Sequence, residues 1–510
     1  MPRIYLAAAL VERQAFDIGP ELAVYKQSTP DTSSYKGKIY SNKAPGMSFL
    51  AAPAYALLSA LEGPNPPIAK VFFWLRVGGA TVPTLLFLCM LSWLLREILP
   101  RKRQLQRLLL VGYACGTMTF VYGTLLFSHH LSAAFVASSF ILIFLYSRTR
   151  TGRNAPLWAG LLAGAGVLVD YQVAFLGPAL FVYVLYAARP RLRVATLFCC
   201  GAALPLGLLL YYHWRCFGHP LSTGYEHLTN PIFAQWTSRG FLGLDIPELG
   251  RFHKLHFSAD DGLFYYSPFL LLAFPGLALM IWRRSLRAEG LLAGFAIAFN
   301  IYFISALVLV SGWDVGPRYM IAALPFYVVP IAAVLRDLAT RWYLLVVPSG
   351  LIAVSCGSYL LVGAVFPHFP DNFSNPLFDV SWRFGAAGYL PYNLGWLLGW
   401  EGVTSILPFA LVAVLVLFVP LWRSARDAWR GLALTVGALV VASLVVTSYW
   451  FGLNHREQVV PHSFLPWMER IWEPRHLGMD KKEVLRDIGP VTLQAGFKPA
   501  PGRAGPPPPR

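Results

Sequence analysis

Long apolar runs separated by short polar connections make up most of the chain. A helix needs about 20 apolar residues, within a range of about 17–25, to cross the hydrocarbon core of a bilayer. Each run of this length predicts one transmembrane helix. These runs lie at 71–98, 107–127, 130–147, 193–213, 263–282, 288–310, 318–336, 343–366, 402–422 and 431–451.

Two further apolar runs do not fit a single span. The run 156–187 is too long for one helix and contains Asp170, so it predicts a tight pair of helices that turn at this aspartate. The run 47–61 is too short to cross and predicts a helix lying in the membrane interface. The pattern as a whole predicts an all-α, polytopic integral membrane protein with about twelve transmembrane helices and interfacial helices on its outer face.

The composition agrees with a polytopic membrane protein and not with a large soluble core. Of the 510 residues, 56% are hydrophobic and only 13% are charged, whereas soluble domains average about 25% charged residues. The formal net charge of +17 is compatible with nucleic-acid binding. However, the basic residues form short clusters between apolar runs, where they orient helices in a membrane. We therefore expect the lipid bilayer as a partner and no nucleic acid.

The basic clusters also orient the chain. They all fall on one side of the predicted threading, which the positive-inside rule makes cytoplasmic. The opposite, outer side receives longer segments that are richer in aromatic and acidic residues. The basic clusters are Arg101/Lys102/Arg103, Arg148/Arg150/Arg153, Arg189/Arg191/Arg193, Arg283/Arg284/Arg287, Arg336/Arg341 and Arg423/Arg426/Arg430. The outer segments are 1–46, 129–130, Asp170, 214–262, 311–318, 367–400 and the tail after 451.

The same threading predicts the domain organisation. An outer-face interfacial segment (1–66) precedes an N-terminal bundle (67–213), an outer loop (214–262), a C-terminal bundle with the outer loop 367–400 (263–451), and a soluble tail (452–510). The Pro/Gly-rich end of the tail is predicted to be disordered.

The beginning of the chain poses a topological problem. The threading places Met1 outside, yet no run before 47 could carry it across. The pattern therefore predicts a further helix upstream of this sequence. The alternative is that 1–61 stays cytoplasmic and that one of the predicted spans is wrong.

Two cations stand at the outer ends of apolar runs. Lys43 lies between a small polar pair and an Ala-Pro-Gly turn, and Arg318 with Tyr319 opens the helix after the turn Gly316-Pro317. Two cations at the depth of the membrane interface could clamp a lipid phosphate. The alternative is that both side chains only extend to lipid headgroups.

Two carboxylates are candidates for proton transfer. Asp314 could act as a general base, or it could cap the helix that Pro317 opens. Asp170 could line a cleft or simply mark a turn. A carboxylate in hydrocarbon costs roughly 2.5–3.5 kcal/mol, so we expect Asp170 at the outer surface.

Polar and aromatic residues on the outer side could contact a ligand. His129 and His130 are adjacent, so their side chains point apart on a helix, and no third ligand is near in sequence. We therefore expect a polar interfacial cap and no metal site. The loop 218–227, which contains Tyr225, suits a sugar, but it equally suits an interfacial aromatic belt.

Several motifs resemble bacterial GT-C glycosyltransferases that use polyprenyl-phosphate sugars, a family that includes protein mannosyltransferases and aminoarabinose transferases. The stretch 37–46, GKIYSNKAPG, resembles the family's lysine motif, and Arg76 matches a later arginine. The helical pair around Asp170 and the stretch 316–326, GPRYMIAALPF, resemble further parts of the family. The resemblance extends over nearly the whole chain, although each motif is short.

The resemblance implies a site and a function. Lys43 would bind the carrier phosphate, with Arg318, Tyr319 and Arg76 as further contacts. The family's catalytic carboxylate lies just before the position of Arg3, and this chain lacks it, so the remaining candidates are Asp314 and Asp170. The residues that would contact the substrate are Tyr40, His129, His130 and Tyr225.

The implied function is sugar transfer from a polyprenyl-phosphate donor to a glycan, lipid or protein acceptor. It would occur on the outer face of the bacterial plasma (inner) membrane, with no cofactor. One alternative is a transporter or flippase of a lipid-linked substrate. The other is a catalytically inactive relative that serves as a binding subunit.

Overall fold

The computed structural model describes residues 1–26, 29–149, 152–240, 243–283, 286–308, 315–369, 373–423, 427–451, 458–460, 464–489 and 491–493. Within these residues the fold is helical, with two small two-stranded sheets. The predicted all-α polytopic membrane architecture is confirmed.

Eight helices in the described part of the chain are long and apolar enough to cross a membrane. They confirm eight of the predicted spans, with ends shifted by a few residues. These helices are Ile68–Ile98, Ser128–Thr149, Arg191–Phe217, Arg287–Ala306, Arg318–Leu338, Trp342–Val365, Gly402–Trp422 and Ala428–Phe451. The first contains a π-helical turn at Val77–Thr81.

Two predicted spans are interrupted. The run 107–127 forms the helices Arg103–Cys115 and Thr119–Tyr122, and the run 263–282 forms Leu263–Tyr266 and Pro268–Trp282. The interruptions meet, because the buried Ser267 hydroxyl donates a hydrogen bond to the carbonyl oxygen of Gly116 at 2.8 Å. Unpaired backbone groups are costly in hydrocarbon, and this contact satisfies one of them. Each of these two runs therefore consists of two helical pieces and not of one continuous helix.

The run 156–187 forms two helices, Ala155–Val169 and Tyr171–Ala187. Asp170 between them has an extended backbone (φ −153°, ψ 125°), so the predicted turn at this residue is confirmed. The first helix packs closely against Arg191–Phe217. A Cβ added at Gly160 would lie 1.9 Å from the carbonyl oxygen of Phe198, so glycine is required for this close approach.

The segment before the first long helix combines helices with a β-hairpin. The helices are Pro2–Arg13, Gly19–Tyr25 and Gly46–Glu62, the last at the position of the helix predicted over 47–61. Strands β1 (Thr32–Tyr35) and β2 (Lys38–Ser41) pair in antiparallel register. The turn residues Lys36 (φ 48°) and Gly37 (φ 75°) both have positive φ, as a type I′ turn requires.

The remaining elements lie in connections and in the tail. The connection after Arg191–Phe217 contains Gly224–Glu226, Pro231–Thr237 and Leu249–Phe257, and the connection after Trp342–Val365 contains Leu377–Trp382, Arg383–Ala386 and Leu394–Leu397. The tail contains Phe464–Glu469, Pro474–His476, Lys481–Ile488 and the parallel strands β3 (Gln458–Val460) and β4 (Val491–Leu493).

The tail is anchored to the preceding connection by aromatic contacts. Phe464 packs against Phe366, Phe373 and Phe384 at ring-centroid distances of 6.1, 5.4 and 5.9 Å. The predicted disorder of the last residues falls on 494–510, which lie outside the described residues.

Candidate functional site

A cavity of about 1740 Å³ brings together segments that are far apart in the sequence. We call it the site cavity. Its lining includes seven residues that the sequence analysis singled out: Lys43, Arg76, His129, Asp170, Tyr225, Arg318 and Tyr319. Its other walls are largely apolar and include Phe120, Leu125, Phe175, Phe303 and Phe366. The cavity therefore combines a charged cluster with a hydrophobic chamber.

The β-hairpin places a carboxylate beside the candidate lysine. Thr32 pairs with Ser41 at the open end of the hairpin, so Asp31 and Lys43 leave the two strands side by side. The Lys43 Nζ atom lies 2.8 Å from Asp31 Oδ1. Sequence reasoning missed Asp31. The signal that could have found it is the Lys36-Gly37 turn between two short strand-like runs, because such turns fix the hairpin register.

The electrostatic environment keeps Asp31 ionised. Burial raises the pKa of this carboxyl, but the charges of Lys43 and Arg3 and the bond to Lys43 outweigh burial, so the pKa lies below its usual value. The Lys43 Nζ atom also lies 5.8 Å from the ring centroid of Tyr225, within the range of a cation–π interaction. Lys43 is therefore held between a carboxylate and an aromatic ring.

A second carboxylate, Asp170, faces the same cavity. Its Oδ2 atom accepts a hydrogen bond from Ser128 Oγ at 3.0 Å and lies 2.6 Å from His129 Nδ1. Its Oδ1 atom accepts from the Gln172 backbone N–H at 3.2 Å. Burial raises the pKa of Asp170, but His129 and these hydrogen bonds outweigh it and lower the pKa to about 2. This carboxylate is therefore ionised at neutral pH.

Arg3 is a further cation at this cluster that sequence reasoning did not assign to the site. Its Nη2 atom donates to Ser128 Oγ at 2.9 Å, and the charges of Asp170, Asp31 and Arg318 all act on its guanidinium. Arg3 is thus linked to Asp170 through Ser128, and its charge also interacts with that of Asp31.

The predicted pair Arg318 and Tyr319 lies at the wall formed by the Asp170 turn. The Arg318 guanidinium carbon is 5.9 Å from the Phe127 ring centroid and 5.3 Å from that of Tyr319. The Tyr319 carbonyl oxygen accepts hydrogen bonds from Gln172 Nε2 at 2.6 Å and from Asn300 Nδ2 at 3.1 Å. These bonds fix the start of the Arg318–Leu338 helix relative to the carboxylate.

Two glycines allow the backbone segments of the site to approach each other. A Cβ at Gly46 would lie 2.6 Å from both the carbonyl carbon and the oxygen of Leu168, and a Cβ at Gly224 would lie 2.7 Å from the Asn42 Cα atom. Any larger residue would separate the segment that carries Lys43 from the turn at Asp170, or from the loop that carries Tyr225.

The loop that carries Tyr225 is docked on the edge of β1. Ser33 Oγ donates to the Gly224 carbonyl oxygen at 2.6 Å, and the Ser34 N–H donates to the His227 carbonyl oxygen at 2.9 Å. A third bond joins the Thr229 N–H to the Thr32 carbonyl oxygen at 3.1 Å. The hairpin therefore positions Asp31, Lys43 and Tyr225 together.

The other predicted site residues lie differently. Tyr40 is buried against Phe217, with ring centroids 5.6 Å apart, and does not line the cavity. His130 is buried near Phe87 and does not line the cavity. Arg76 lines the cavity and donates from Nε to the Thr124 carbonyl oxygen at 2.8 Å.

Asp314 lies outside the described residues. Within the described ranges, no group of three or more His, Cys, Asp or Glu side chains is arranged to hold a metal ion.

Comparison with known proteins yields similarity only at the level of solved structures. No protein-family model and no curated protein matches the sequence. Two crystal structures of ArnT from Cupriavidus metallidurans are similar to this chain. The apo structure has 15% identity and a TM-score of 0.44, and covers 87% of this chain and 71% of its own. The structure bound to undecaprenyl phosphate has 14% identity and a TM-score of 0.45, and covers 87% and 72%.

Proposed function

We propose that this protein transfers a sugar from a polyprenyl-phosphate donor to an acceptor hydroxyl or amine. The site cavity supports this proposal, because the cations Arg3, Lys43 and Arg318 and the ionised carboxylates Asp31 and Asp170 lie at the wall of an apolar chamber. A lipid phosphate needs both features, because its headgroup requires cations while its chain requires an apolar surface. The motif resemblance of the stretch around Lys43 supports the same donor class.

The carrier phosphate would bind between Lys43 and Arg318, with Arg3 at the base of the cluster. Before the donor binds, Asp31 balances the charge of Lys43. Phosphate oxygens would replace the Asp31 carboxylate as the partner of Lys43. Because the site is partly buried, these charge-assisted contacts would be stronger than contacts in bulk water.

The reaction would proceed by substitution at the anomeric carbon of the sugar. The acceptor oxygen or nitrogen forms a bond to this carbon while the bond between carbon and phosphate oxygen breaks. The polyprenyl phosphate leaves as an anion stabilised by Lys43 and Arg318, and the acceptor proton passes to a carboxylate. Asp31, once released from Lys43, and Asp170 are the two described carboxylates that could accept this proton.

The site would face the outer side of the bacterial plasma membrane. The support is the charge distribution: the segments that meet at the cavity are those assigned to the outer side, and the basic clusters lie in the other connections. The acceptor could then be a glycan, lipid or protein of the cell envelope.

The test is binding and turnover of purified full-length protein in lipid nanodiscs. Undecaprenyl phosphate is the binding probe, and undecaprenyl-phosphate-linked hexoses and aminoarabinose are the donor panel. Lys43→Ala is expected to weaken binding of the probe and to reduce transfer about 100-fold or more, because it removes a cation that stabilises the leaving phosphate.

Lys38→Ala is the matched control. Lys38 is an exposed lysine on the same hairpin, so its loss should leave binding and transfer near the wild-type level. Equal binding by wild type and Lys43→Ala would overturn the phosphate site. Lys43-dependent binding without transfer from any donor would contradict the enzymatic step and favour a binding or transport role.

A further inference from the structure

A second cavity, of about 1220 Å³, is lined by an unusual concentration of positive charge. We call it the basic cleft. None of its lining residues is acidic, and seven of them are cationic: Arg96, Arg101, Lys102, Arg103, Arg107, Arg423 and Arg430.

Most of this charge is uncompensated. The exception is Arg430, whose Nε atom lies 3.4 Å from Asp427 Oδ2. Among the residues that the structure describes, none of the other six cations in the cleft has a carboxylate within 4.0 Å. Like charges that converge without counter-charges repel one another. The cleft therefore favours an anion that is not part of the described protein.

The location of the cleft points to the membrane surface opposite the site cavity. Arg76 lines the site cavity and Arg96 lines the cleft, and both belong to the helix Ile68–Ile98. Twenty residues at 1.5 Å per residue separate them by about 30 Å, the thickness of the hydrocarbon core. The helix Arg318–Leu338 shows the same relation, because Arg318 at its start lines the site cavity and Ala339 just after its end lines the cleft.

Orientation signals alone do not explain the geometry. The positive-inside rule requires cations in cytoplasmic connections, but it does not require different connections to converge. Here the connection at 96–107 meets the helix ends at 423 and 430, and Trp342 and Leu345 complete the wall. A membrane-interface aromatic and an aliphatic side chain beside the cations suit an amphipathic ligand better than a free ion.

The start of the helix Arg103–Cys115 adds to the positive potential. Its first turn contains no acidic residue, and no side chain caps it. The backbone N–H groups at a helix N-terminus carry partial positive charge and favour phosphate. Three consecutive cations, Arg101, Lys102 and Arg103, lie at this positive end of the helix dipole and are repelled by it. A bound anion would relieve this repulsion.

We propose that the basic cleft binds the phosphate headgroup of an anionic phospholipid from the leaflet opposite the site cavity. The cations would contact the phosphate, and the partly exposed Trp342 would contact the upper part of the acyl chains. This lipid would be a structural partner that joins the helix Ile68–Ile98 to the C-terminal helices.

The experiment uses full-length protein in detergent with added dioleoylphosphatidylglycerol or dioleoylphosphatidylcholine. Thermal unfolding and native mass spectrometry report stabilisation and bound lipid. We expect the anionic lipid to raise the wild-type Tm by roughly 3–5 °C more than the zwitterionic lipid. The triple variant Arg103→Gln, Arg107→Gln, Arg423→Gln should bind the anionic lipid at least about tenfold more weakly, since it removes three of the cations that attract the headgroup.

The matched control removes the same charge elsewhere in the basic connections. Arg153→Gln, Arg191→Gln, Arg193→Gln changes three exposed arginines that do not line the cleft, and it should keep the wild-type response. An equal loss in both triple variants would overturn the site. If inorganic phosphate at the same concentration reproduces the stabilisation, the lipid assignment is overturned in favour of a free anion.

A measurement on the wild type alone covers the case in which the cleft variant does not fold. The preference for phosphatidylglycerol should shrink strongly between 0.1 and 1 M salt, where the screening length falls from about 10 Å to about 3 Å. A preference that is independent of salt would contradict recognition of the headgroup charge.

Discussion

Asp31 and Lys43 form an ion pair whose two members have different expected roles. The Lys43 Nζ atom lies 2.8 Å from Asp31 Oδ1, and the side chains of Asp31 and Lys43 are 31% and 23% exposed, respectively. Both can therefore be reached from the site cavity. Lys43 is the proposed ligand of the donor phosphate, whereas Asp31 competes with that phosphate for Lys43. The pair therefore allows binding and proton transfer to be tested separately.

Asp31→Asn should separate these roles. The substitution removes a negative charge next to Lys43, so undecaprenyl phosphate should bind at least as tightly as to the wild type. Transfer should fall by about 10²–10⁴-fold if Asp31 accepts the acceptor proton, because an amide cannot serve as a base. Titration of the lipid and single-turnover assays measure the two quantities independently.

Asp170→Asn is the companion variant. A large loss of transfer in this variant, with normal transfer in Asp31→Asn, would assign the proton to Asp170. Tighter binding with unchanged transfer in both variants would exclude both carboxylates as the base.

At the scale of elements, the site depends on how closely the Lys43 segment approaches the Asp170 turn. The helix Gly46–Glu62 begins against the end of the helix Ala155–Val169, and the contact is between backbones. A backbone contact cannot adapt by a change of rotamer, so the size of residue 46 sets the distance between the two elements.

Gly46→Ala is therefore expected to disturb the site without changing any charged residue. The added Cβ would lie 2.6 Å from the Leu168 carbonyl group, which forces the helices apart. Such overpacking typically costs about 1–3 kcal/mol. We expect a lower Tm and weaker binding of undecaprenyl phosphate, measured by thermal unfolding and lipid titration.

Gly177→Ala serves as the control for that substitution. Gly177 has helical backbone angles, and a Cβ there would meet no atom within 4 Å, so alanine should be neutral or slightly stabilising. Wild-type behaviour of Gly46→Ala would show that the Lys43 segment can move without loss of the site.

At the scale of the whole molecule, the two cavities define the ends of the bundle. Long helices run from the site cavity to the basic cleft, a distance of about 30 Å. Positive charge accumulates at one end, and the mixed cluster of cations and carboxylates lies at the other. This separation of charge supports the proposal that the site cavity faces the outer side.

Cysteine labelling tests this orientation. In a variant whose six native cysteines are replaced by alanine, Lys38→Cys should react with a membrane-impermeant maleimide in intact spheroplasts. Arg191→Cys should react only after the membrane is permeabilised. Both positions are exposed in the structure, so a difference in labelling would report the side of the membrane and not burial. The opposite labelling pattern would place the site cavity on the cytoplasmic side.

The membrane architecture could be predicted from the amino-acid sequence, because the length and apolar character of a run decide whether it can cross a bilayer. Eight predicted helices, the turn at Asp170 and the helix after Lys43 could all be read in this way. Local apolar character could not show the interruptions at Gly116 and Ser267, since they depend on a hydrogen bond between two distant segments.

The set of polar residues that forms the site could not be predicted without the folded structure. Lys43, Asp170, Arg318 and Tyr225 were identified from local patterns, and packing brought them to one cavity. Asp31 could be assigned to the site only from the hairpin register, which places it beside Lys43. Tyr40 packs against Phe217 and therefore does not line the cavity. The physical reason is that hydrophobic length acts within one segment, whereas a binding site arises from contacts between segments that only the folded chain brings together.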